Sequence, residues 1–535
     1  MSEDVVDVLI IGAGATGAAA AWNLADTRMR IVCMDQGDWM HSGDYPSNFQ
    51  HWEHLRSTKW SSSPNLRNFP ADYPINDTEA SPISIVNFNG VGGSTVLYAA
   101  HFPRFHPSDF RVKTLDGVAD DWPIDYATLE PFYAENDRNI GVSGLAGDPA
   151  YPPKTPTCPP LPIGEMGNII GRGFNKLGWH WWPSDAAIVS EPYGGRDKCI
   201  NLGPCISGCA QGAKSSADVT YWPLAIQRGV ELRTRCRVRE ITIDSQGMAT
   251  GVIYYDAEGN ERHQRAEVVI LACNGVGTPR LLLNSVSARF PDGLANSSGL
   301  VGKNLMLHPW GIVHGVFEEG LASHLGPQGT CLLSQEFYET RPEHNFVRGF
   351  GLQITRGSSA VVAAQQGMAT GDIPWGQAHH DAFRQYYGSD AYCGVCVEDL
   401  PELTNTVTLD PKICDSHGIP APKITYRLGE NSQKMLDFGL ERGRELMEAA
   451  GAWRINSFGP MRYAGWHLMG TARMGTDPTN AVVNEWGRCH DVRNLFIVDG
   501  SIFVTSAAGN PTTTMQALAL YITDKMKQNL ANLFD

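Results

Sequence analysis

The chain has 535 residues, 42% hydrophobic and 19% charged, with 56 Gly, 33 Pro and 12 Cys. At roughly 150 residues per domain this is a multidomain globular protein, and its composition excludes collagen, coiled coil, a disordered chain and a disulfide mini-protein. The balance of 42 basic against 57 acidic side chains, a net charge of −15, repels polyanions, so no nucleic-acid partner is expected.

Met1-Ser-Glu-Asp4 is acidic where a secretory leader needs positive charge. Cytoplasm is the default expectation, with periplasmic export beside a partner subunit left open. Val8 to Ala25 could pass for a membrane span on hydropathy. Its spaced glycines, the Trp22-Asn23 interruption and its acidic flanks read instead as a buried strand running into a helix, so no transmembrane segment is expected. Val5–Ile11 is the strand, Ala18–Ala25 the helix and Arg30–Asp35 a second strand. From Gln36 to Ile83 the chain is polar, with Trp and Pro but no clear period, and reads as loops or a lid. Ser84–Phe88 reads as a strand entering the glycine-rich Gly90-Val-Gly-Gly-Ser-Thr95 loop. Asp125–Asn136 reads as a helix and Pro152–Pro162 as a connector. A further βαβ-like signal follows: Val230–Ile243 reads as a strand, Met248–Tyr255 as a hairpin partner around Asp256–Asn260, and Glu267–Ala272 as a strand ending at Asn274-Gly-Val-Gly-Thr-Pro279 before a helix. Residues 305–455 read as a mixed α+β unit. Asn494–Asp499 is a strand, and Thr512–Asn529 an amphipathic closing helix.

The first strand, helix and second strand form a βαβ unit with Gly12, Gly14 and Gly17 at its turn. Gly12 makes the turn, Gly14 admits a pyrophosphate, and Gly17 lets helix and strand pack closely. Ala15 and Thr16 open the helix, whose free N–H groups and partial positive charge face the phosphate. Asp35 ends the second strand, placed to accept hydrogen bonds from ribose hydroxyls. Far along the chain, Val498-Asp499-Gly500-Ser501 and Ala508-Gly509-Asn510-Pro511-Thr512 offer a second strand, turn and helix start. They suit an extended dinucleotide such as FAD better than a nicotinamide cofactor.

These segments resemble the glucose–methanol–choline (GMC) oxidoreductases, FAD-dependent alcohol oxidases and dehydrogenases. The resemblance rests on Ile10–Gly17, Gly90–Thr95, Ala272–Pro279, Val301–Leu305 with His308-Pro309, Trp466–Thr471 and Asn494–Asp499 through Thr512, in family order along nearly the whole chain. Asp35 departs from the family's commoner Glu, and 36–80 matches poorly, which leaves a lid or a covalent flavin link open. The resemblance implies an α/β plus α+β fold: a Rossmann-like FAD-binding domain, related to p-hydroxybenzoate hydroxylase, with a mixed-sheet substrate domain. The expected FAD domain is 1–304, mainly 1–45, 82–100 and 190–304, with 456–535. The expected substrate domain is 305–455 with parts of 46–81 and 101–189. It also implies cofactor contacts from Gly92, Gly93, Ser94, Val238, Cys273, Asp499, Gly500, Asn510, Pro511 and Thr512. His467 takes the place of the catalytic histidine, whose ordinary pKa suits proton transfer near neutrality. Asn510 takes the second catalytic place and hydrogen-bonds the substrate oxygen. His308 takes a structural place near the flavin.

Cys199, Cys205 and Cys209 lie within eleven residues among turn formers. Thiolates gathered by Gly/Pro turns suit an iron–sulfur cluster, and the spacing resembles flavin subunits of bacterial gluconate and glucose dehydrogenases, which implies a three-iron cluster. Three thiols in a tight loop, or a disulfide with one free Cys, are the alternatives, the disulfide being disfavoured in a reducing cytosol. Cys393 and Cys396 read as core thiols on a strand. The expectation is FAD-dependent oxidation of a sugar, polyol or aromatic alcohol. Electrons would pass to an external acceptor, such as a cytochrome or a small subunit. An oxygen-using oxidase, a flavin-containing lyase and a non-catalytic flavoprotein subunit are the rivals.

Overall fold

The computed structural model describes residues 5–67, 72–77, 81–327 and 329–529. The acidic start and parts of the 36–83 segment lie outside the described residues. Strands in chain order are β1 (Val5–Ile11), β2 (Ile31–Met34), β3 (Trp182–Pro183), β4 (Glu231–Arg233), β5 (Arg237–Ile243), β6 (Ala249–Tyr255) and β7 (Glu261–Leu271). They continue with β8 (Trp310–Val316), β9 (Thr330–Ser334), β10 (Phe350–Thr355), β11 (Asp390–Val397), β12 (Thr406–Cys414), β13 (Pro420–Thr425), β14 (Arg454–Phe458) and β15 (Leu495–Ile497).

The first sheet has the order β4-β2-β1-β7-β6-β5, with β15 also on β7. β1 is central and wholly apolar after Asp7, because helices cover a parallel sheet on its faces. The helix Ala15–Leu24 follows β1, and its Ala18–Ala21 run is fully buried. Alanine brings a helix close to a sheet at no rotamer cost. The closing helix Thr512–Gln528 packs on it, and Asn23 Nδ2 donates to Leu520 O (3.1 Å) and Thr523 Oγ1 (2.8 Å). The last helix thereby completes the first βαβ unit.

Four sequence expectations need correction. The hairpin expected around 256–260 is present, but β5, β6 and β7 together form an antiparallel meander, not a βαβ unit. Arg235, at φ +54°, breaks the expected 230–243 strand into β4 and β5. Ser84–Phe88 contributes one isolated bridge, Ile85 to Gly465, and no strand. The helix expected after Pro279 begins at Asn274 and contains Pro279 in its second turn, where the lost N–H leaves Gly275 O to accept from Thr471 Oγ1 at 2.7 Å instead.

The second sheet, β14-β8-β11-β10-β9-β3, is antiparallel throughout. One face is apolar: Val313, Phe350, Leu352, Ile354, Cys393, Val395 and Val397 are buried in one core. The helix Glu430–Ala450 covers that face. A Cβ on Gly439 would stand 2.5 Å from Val395, and one on Gly443 2.7 Å from Val313, so two glycines four apart let the helix lie close. Strand alternation sends Trp310, Ile312, Gln353 and Thr355 to the other face, and all four line a cavity.

Candidate active site

A cavity of about 720 Å³ runs between the two sheets, from the Gly12 turn to the open face of the second sheet. At its first end, Gly12 sits at φ +104°, and a Cβ there would lie 2.4 Å from Ala272 O. A Cβ on Gly17 would lie 1.9 Å from Gly12 O. Both positions are closed by backbone. Gly14 differs: its missing Cβ faces open cavity, with only Gly93 Cα at 4.0 Å. Gly14 is also the N-cap of the first helix, so unpaired N–H groups meet an empty cradle there, as an anion requires. Asp35 lines the cavity, its carboxylate accepting from Ala13 N and Gly37 N at 2.8 Å each. Burial raises its pKa against those two bonds.

Most sequence-assigned cofactor positions line the cavity: Gly12, Gly14, Ala15, Thr16, Asp35, Gly93, Ser94, Val238, Cys273, Asp499, Gly500, Asn510, Pro511 and Thr512. Gly17 and Gly92 do not. Gly17 serves helix–strand packing, and Gly92, at φ +89°, turns the chain against Asp218. The Asp499 carboxylate is engaged by Thr278 Oγ1 (2.5 Å), Asn274 N (3.1 Å) and Ser501 N (2.9 Å). It holds a helix start and a turn together at the cavity wall.

At the far end His467 is buried and lines the cavity with Asn510. Its Nδ1 lies 2.6 Å from His308 Nδ1. The protons follow from His308's other nitrogen, which faces only carbonyl oxygens, Ala507 O at 2.8 Å and Ser506 O at 3.3 Å. His308 Nε2 therefore carries its proton and Nδ1 its lone pair. His467 Nδ1–H must donate to that lone pair, which leaves the lone pair of His467 on Nε2, in the cavity. Burial, with two weaker backbone bonds opposing it, pushes His308 down to about 4. Burial, then charge repulsion from His308 and His101, holds His467 well below the usual imidazole range.

Asn510 Nδ2 stands 3.4 Å from His467 Nε2. Its orientation is set by Gln353 on β10, whose Nε2 donates to Asn510 Oδ1 at 2.7 Å. Gln353 Oε1 accepts in turn from Thr330 Oγ1 on β9 at 3.3 Å. Sequence reading missed Gln353 and Thr330, and no motif marks either. Their only signal is a polar residue facing inward on an otherwise apolar strand.

The cysteine expectation finds no support. Cys199, Cys205 and Cys209 form no disulfide and lie on one loop. Among the described residues no three His, Cys, Asp or Glu side chains gather as a metal ion would require. Burial, opposed by the Asn201 N–H and helped by Cys205 and Cys209, pushes the Cys199 thiol up to about 11. The loop is tied down through Lys214, whose Nζ donates to Cys205 O (2.7 Å), Val96 O (2.8 Å) and Tyr98 O (3.0 Å). Cys393 and Cys396 are buried on β11, as expected. Among the described residues no helix is long and apolar enough to cross a membrane.

Two segments, 165–310 and 401–519, match the family models described as GMC oxidoreductase. The chain is 41% identical to 2-methyl-1,2-propanediol dehydrogenase of Mycolicibacterium austroafricanum, over 100% of this chain and 97% of that one. It is 30% identical to the fructose dehydrogenase large subunit of Gluconobacter japonicus, over 98% of each. Among solved structures, pyridoxine 4-oxidase from Mesorbium loti superposes with a TM-score of 0.67 at 18% identity, covering 98% of this chain and 99% of that one. Two sheets, a glycine-lined cradle and a buried histidine facing an amide thus coincide with full-length sequence likeness, and the chain belongs to the GMC oxidoreductase family.

Proposed function

We propose that the protein oxidises a polyhydroxylated alcohol to a carbonyl with FAD as the hydride acceptor and passes the electrons to an external acceptor. The observation that carries this reading is the proton arrangement at His467. A neutral imidazole is held by its Nδ1–H, with the Nε2 lone pair exposed to the cavity beside an amide donor. That is a general base paired with an oxyanion donor.

The residues present fit FAD. The empty cradle at Gly14, the helix start beside it and the Asp35 carboxylate suit pyrophosphate and ribose, and Thr512 opens a second helix at the same cavity. When bound, the flavin supplies the two-electron acceptor. Everything else falls to this chain. Asn510 Nδ2 donates to the substrate oxygen as negative charge grows there. His467 Nε2 takes the hydroxyl proton as the C–H electron pair departs as hydride. The positive charge left on His467 is stabilised through Nδ1–H by His308, whose own Nε2–H rests on the Ala507 carbonyl. His308 is thus a positioning residue. The first sheet and the second would form the cofactor-binding and substrate-binding domains.

The substrate class is read from the open face of the second sheet. Gln353, Thr330 and Thr355 line the catalytic end with Trp310 and Ile312, a mixture suited to hydroxyl-rich molecules. The two relatives are named for a diol and a sugar, and both names are of dehydrogenases. Anaerobic mixing with small diols and sugars should bleach the visible absorbance of the oxidised flavin, and re-oxidation should follow an artificial dye faster than oxygen. A flavin untouched by every alcohol would favour the lyase reading. No electron path through iron is part of this reading: iron analysis should give below about half an atom per chain, and about three would restore the cluster.

A further inference from the structure

His101 belongs to no assigned site. Its side chain is 4% exposed and lines the same cavity as His467 and Asn510. Its Nδ1 lies 2.5 Å from Ser184 Oγ. The Ser184 hydroxyl has the Asp185 carbonyl to donate to, at 3.1 Å; with its proton placed there, its oxygen accepts from Nδ1–H and His101 Nε2 carries a lone pair, the tautomer adopted below. That nitrogen is buried and has no hydrogen-bond partner. A buried acceptor left unmet is costly and calls for an explanation; beside a cavity, a ligand's donor is one.

The neighbourhood puts His101 at the catalytic end. Gly329, next to Thr330, is packed so tightly on the His101 segment that a Cβ would lie 2.4 Å from Ala99 O. Thr330 is two hydrogen bonds from Asn510 through Gln353. His101 is also near enough to His467 to disfavour its protonation. The backbone is held in an uncommon shape here: Ala100, a residue with a Cβ, has φ +63°. Pairing of His101 with Ala186, and the Ala187 N to Ala100 O bond at 2.8 Å, keep it so. Left-handed backbone at a non-glycine residue beside a cavity is a feature that persists where function uses it.

We propose that His101 Nε2 accepts a hydrogen bond from a second hydroxyl of the substrate while His467 and Asn510 engage the hydroxyl being oxidised. His101 is then the residue that makes the enzyme select diols over mono-alcohols. The inference rests on the alcohol-oxidation reading above. Burial, and secondarily the nearby Lys154 ammonium, push the His101 pKa down to about 3, so the acceptor stays neutral and available across the working pH range.

The test is kcat/KM for 1,2-propanediol and 1-propanol, which differ in one hydroxyl, in the FAD-loaded wild type, His101→Phe and His101→Gln. The wild type should prefer the diol by about 10- to 100-fold, the range for leaving one buried hydrogen-bonding group unmet. His101→Phe should bring the ratio towards one through the diol arm, and His101→Gln, which restores an acceptor oxygen, should recover part of it. Flavin content and the flavin spectrum show whether each variant is intact. A wild-type ratio near one overturns the proposal without any variant. So does a His101→Phe ratio equal to the wild type's, which would make His101 a structural histidine. If neither alcohol reduces the flavin of the wild type while sugars do, the diol proposal fails and alcohol oxidation stands. If no alcohol does, the function itself fails.

Discussion

His467 shows how much a single proton assignment decides. On a histidine with free choice of tautomer, the lone pair would face the cavity only part of the time. Here Ala507 O and His308 impose one state. Removing the base should slow anaerobic flavin reduction by about 10²–10⁴ in His467→Ala, with flavin content unchanged. Asn510→Ala should cost less, at most about 10²–10³, since it loses one donor. Gln353→Ala frees Asn510 to rotate and should cost roughly 10-fold, one ordinary hydrogen bond, with kcat falling more than KM rises. The base must be neutral to work, and burial together with His308 and His101 holds its pKa well below 6.5. Flavin reduction should therefore stay flat from neutrality down through pH 6.5 and fall only in more acid solution. A limb centred at or above 6.5 in the rate–pH profile would contradict this, and His467→Ala should lack the limb altogether.

Among elements, the helix Glu430–Ala450 is the one that shapes the active site from behind. It fixes the apolar face of the second sheet and thereby the height of the cavity face, where Gln353 and Trp310 stand. Its approach depends on the missing side chains of Gly439 and Gly443. Gly439→Leu must displace Val395 or lift the helix, an overpacking cost of about 1–3 kcal/mol. The expected result is a lower thermal midpoint with flavin still bound, because the cradle belongs to the other sheet. A midpoint equal to the wild type's in differential scanning calorimetry would show that the sheet face yields freely.

Across the whole molecule, two devices join segments distant in the chain. One is the cradle, built from both ends of the sequence. Gly14→Val would fill the space left for pyrophosphate, and the protein should purify colourless. Full occupancy by absorbance would sink the cradle assignment. The other is Arg348, which is 1% exposed. Its guanidinium meets Asp109 (2.5 Å), Glu398 (3.0 Å) and Asp116 (3.1 Å), tying the 109–116 segment to the end of β11. Burial works against its charge, but Glu398 and Asp109 raise its pKa further. Arg348→Met would strand three acids out of water. Loss of one partner from a buried ionic group typically costs about 3–5 kcal/mol, so urea should unfold this variant at a clearly lower midpoint.

The local sequence by itself determined what depends on short range. The Val5–Ile11 strand, the glycine turn, the Ala-rich helix and the acid at 35 form one continuous unit, so spacing alone places them, and they lie in the structure as read. The two positions proposed as catalytic rest on motifs, not chemistry, since nothing local distinguishes His467 among sixteen histidines. Tertiary structure decided the rest. The hairpin around 256–260 is legible from its turn residues, but that Glu261–Leu271 also lies parallel to β1 depends on partners across the sheet, which period cannot show. Whether three nearby cysteines converge depends on side-chain direction in a loop, and spacing carries no direction. The tautomer of His467 and the orientation of Asn510 depend on Ala507, His308 and Gln353, up to 159 residues away. Hydrogen bonds act over about 3 Å in space and are indifferent to separation along the chain, so only the folded molecule brings those donors and acceptors within reach.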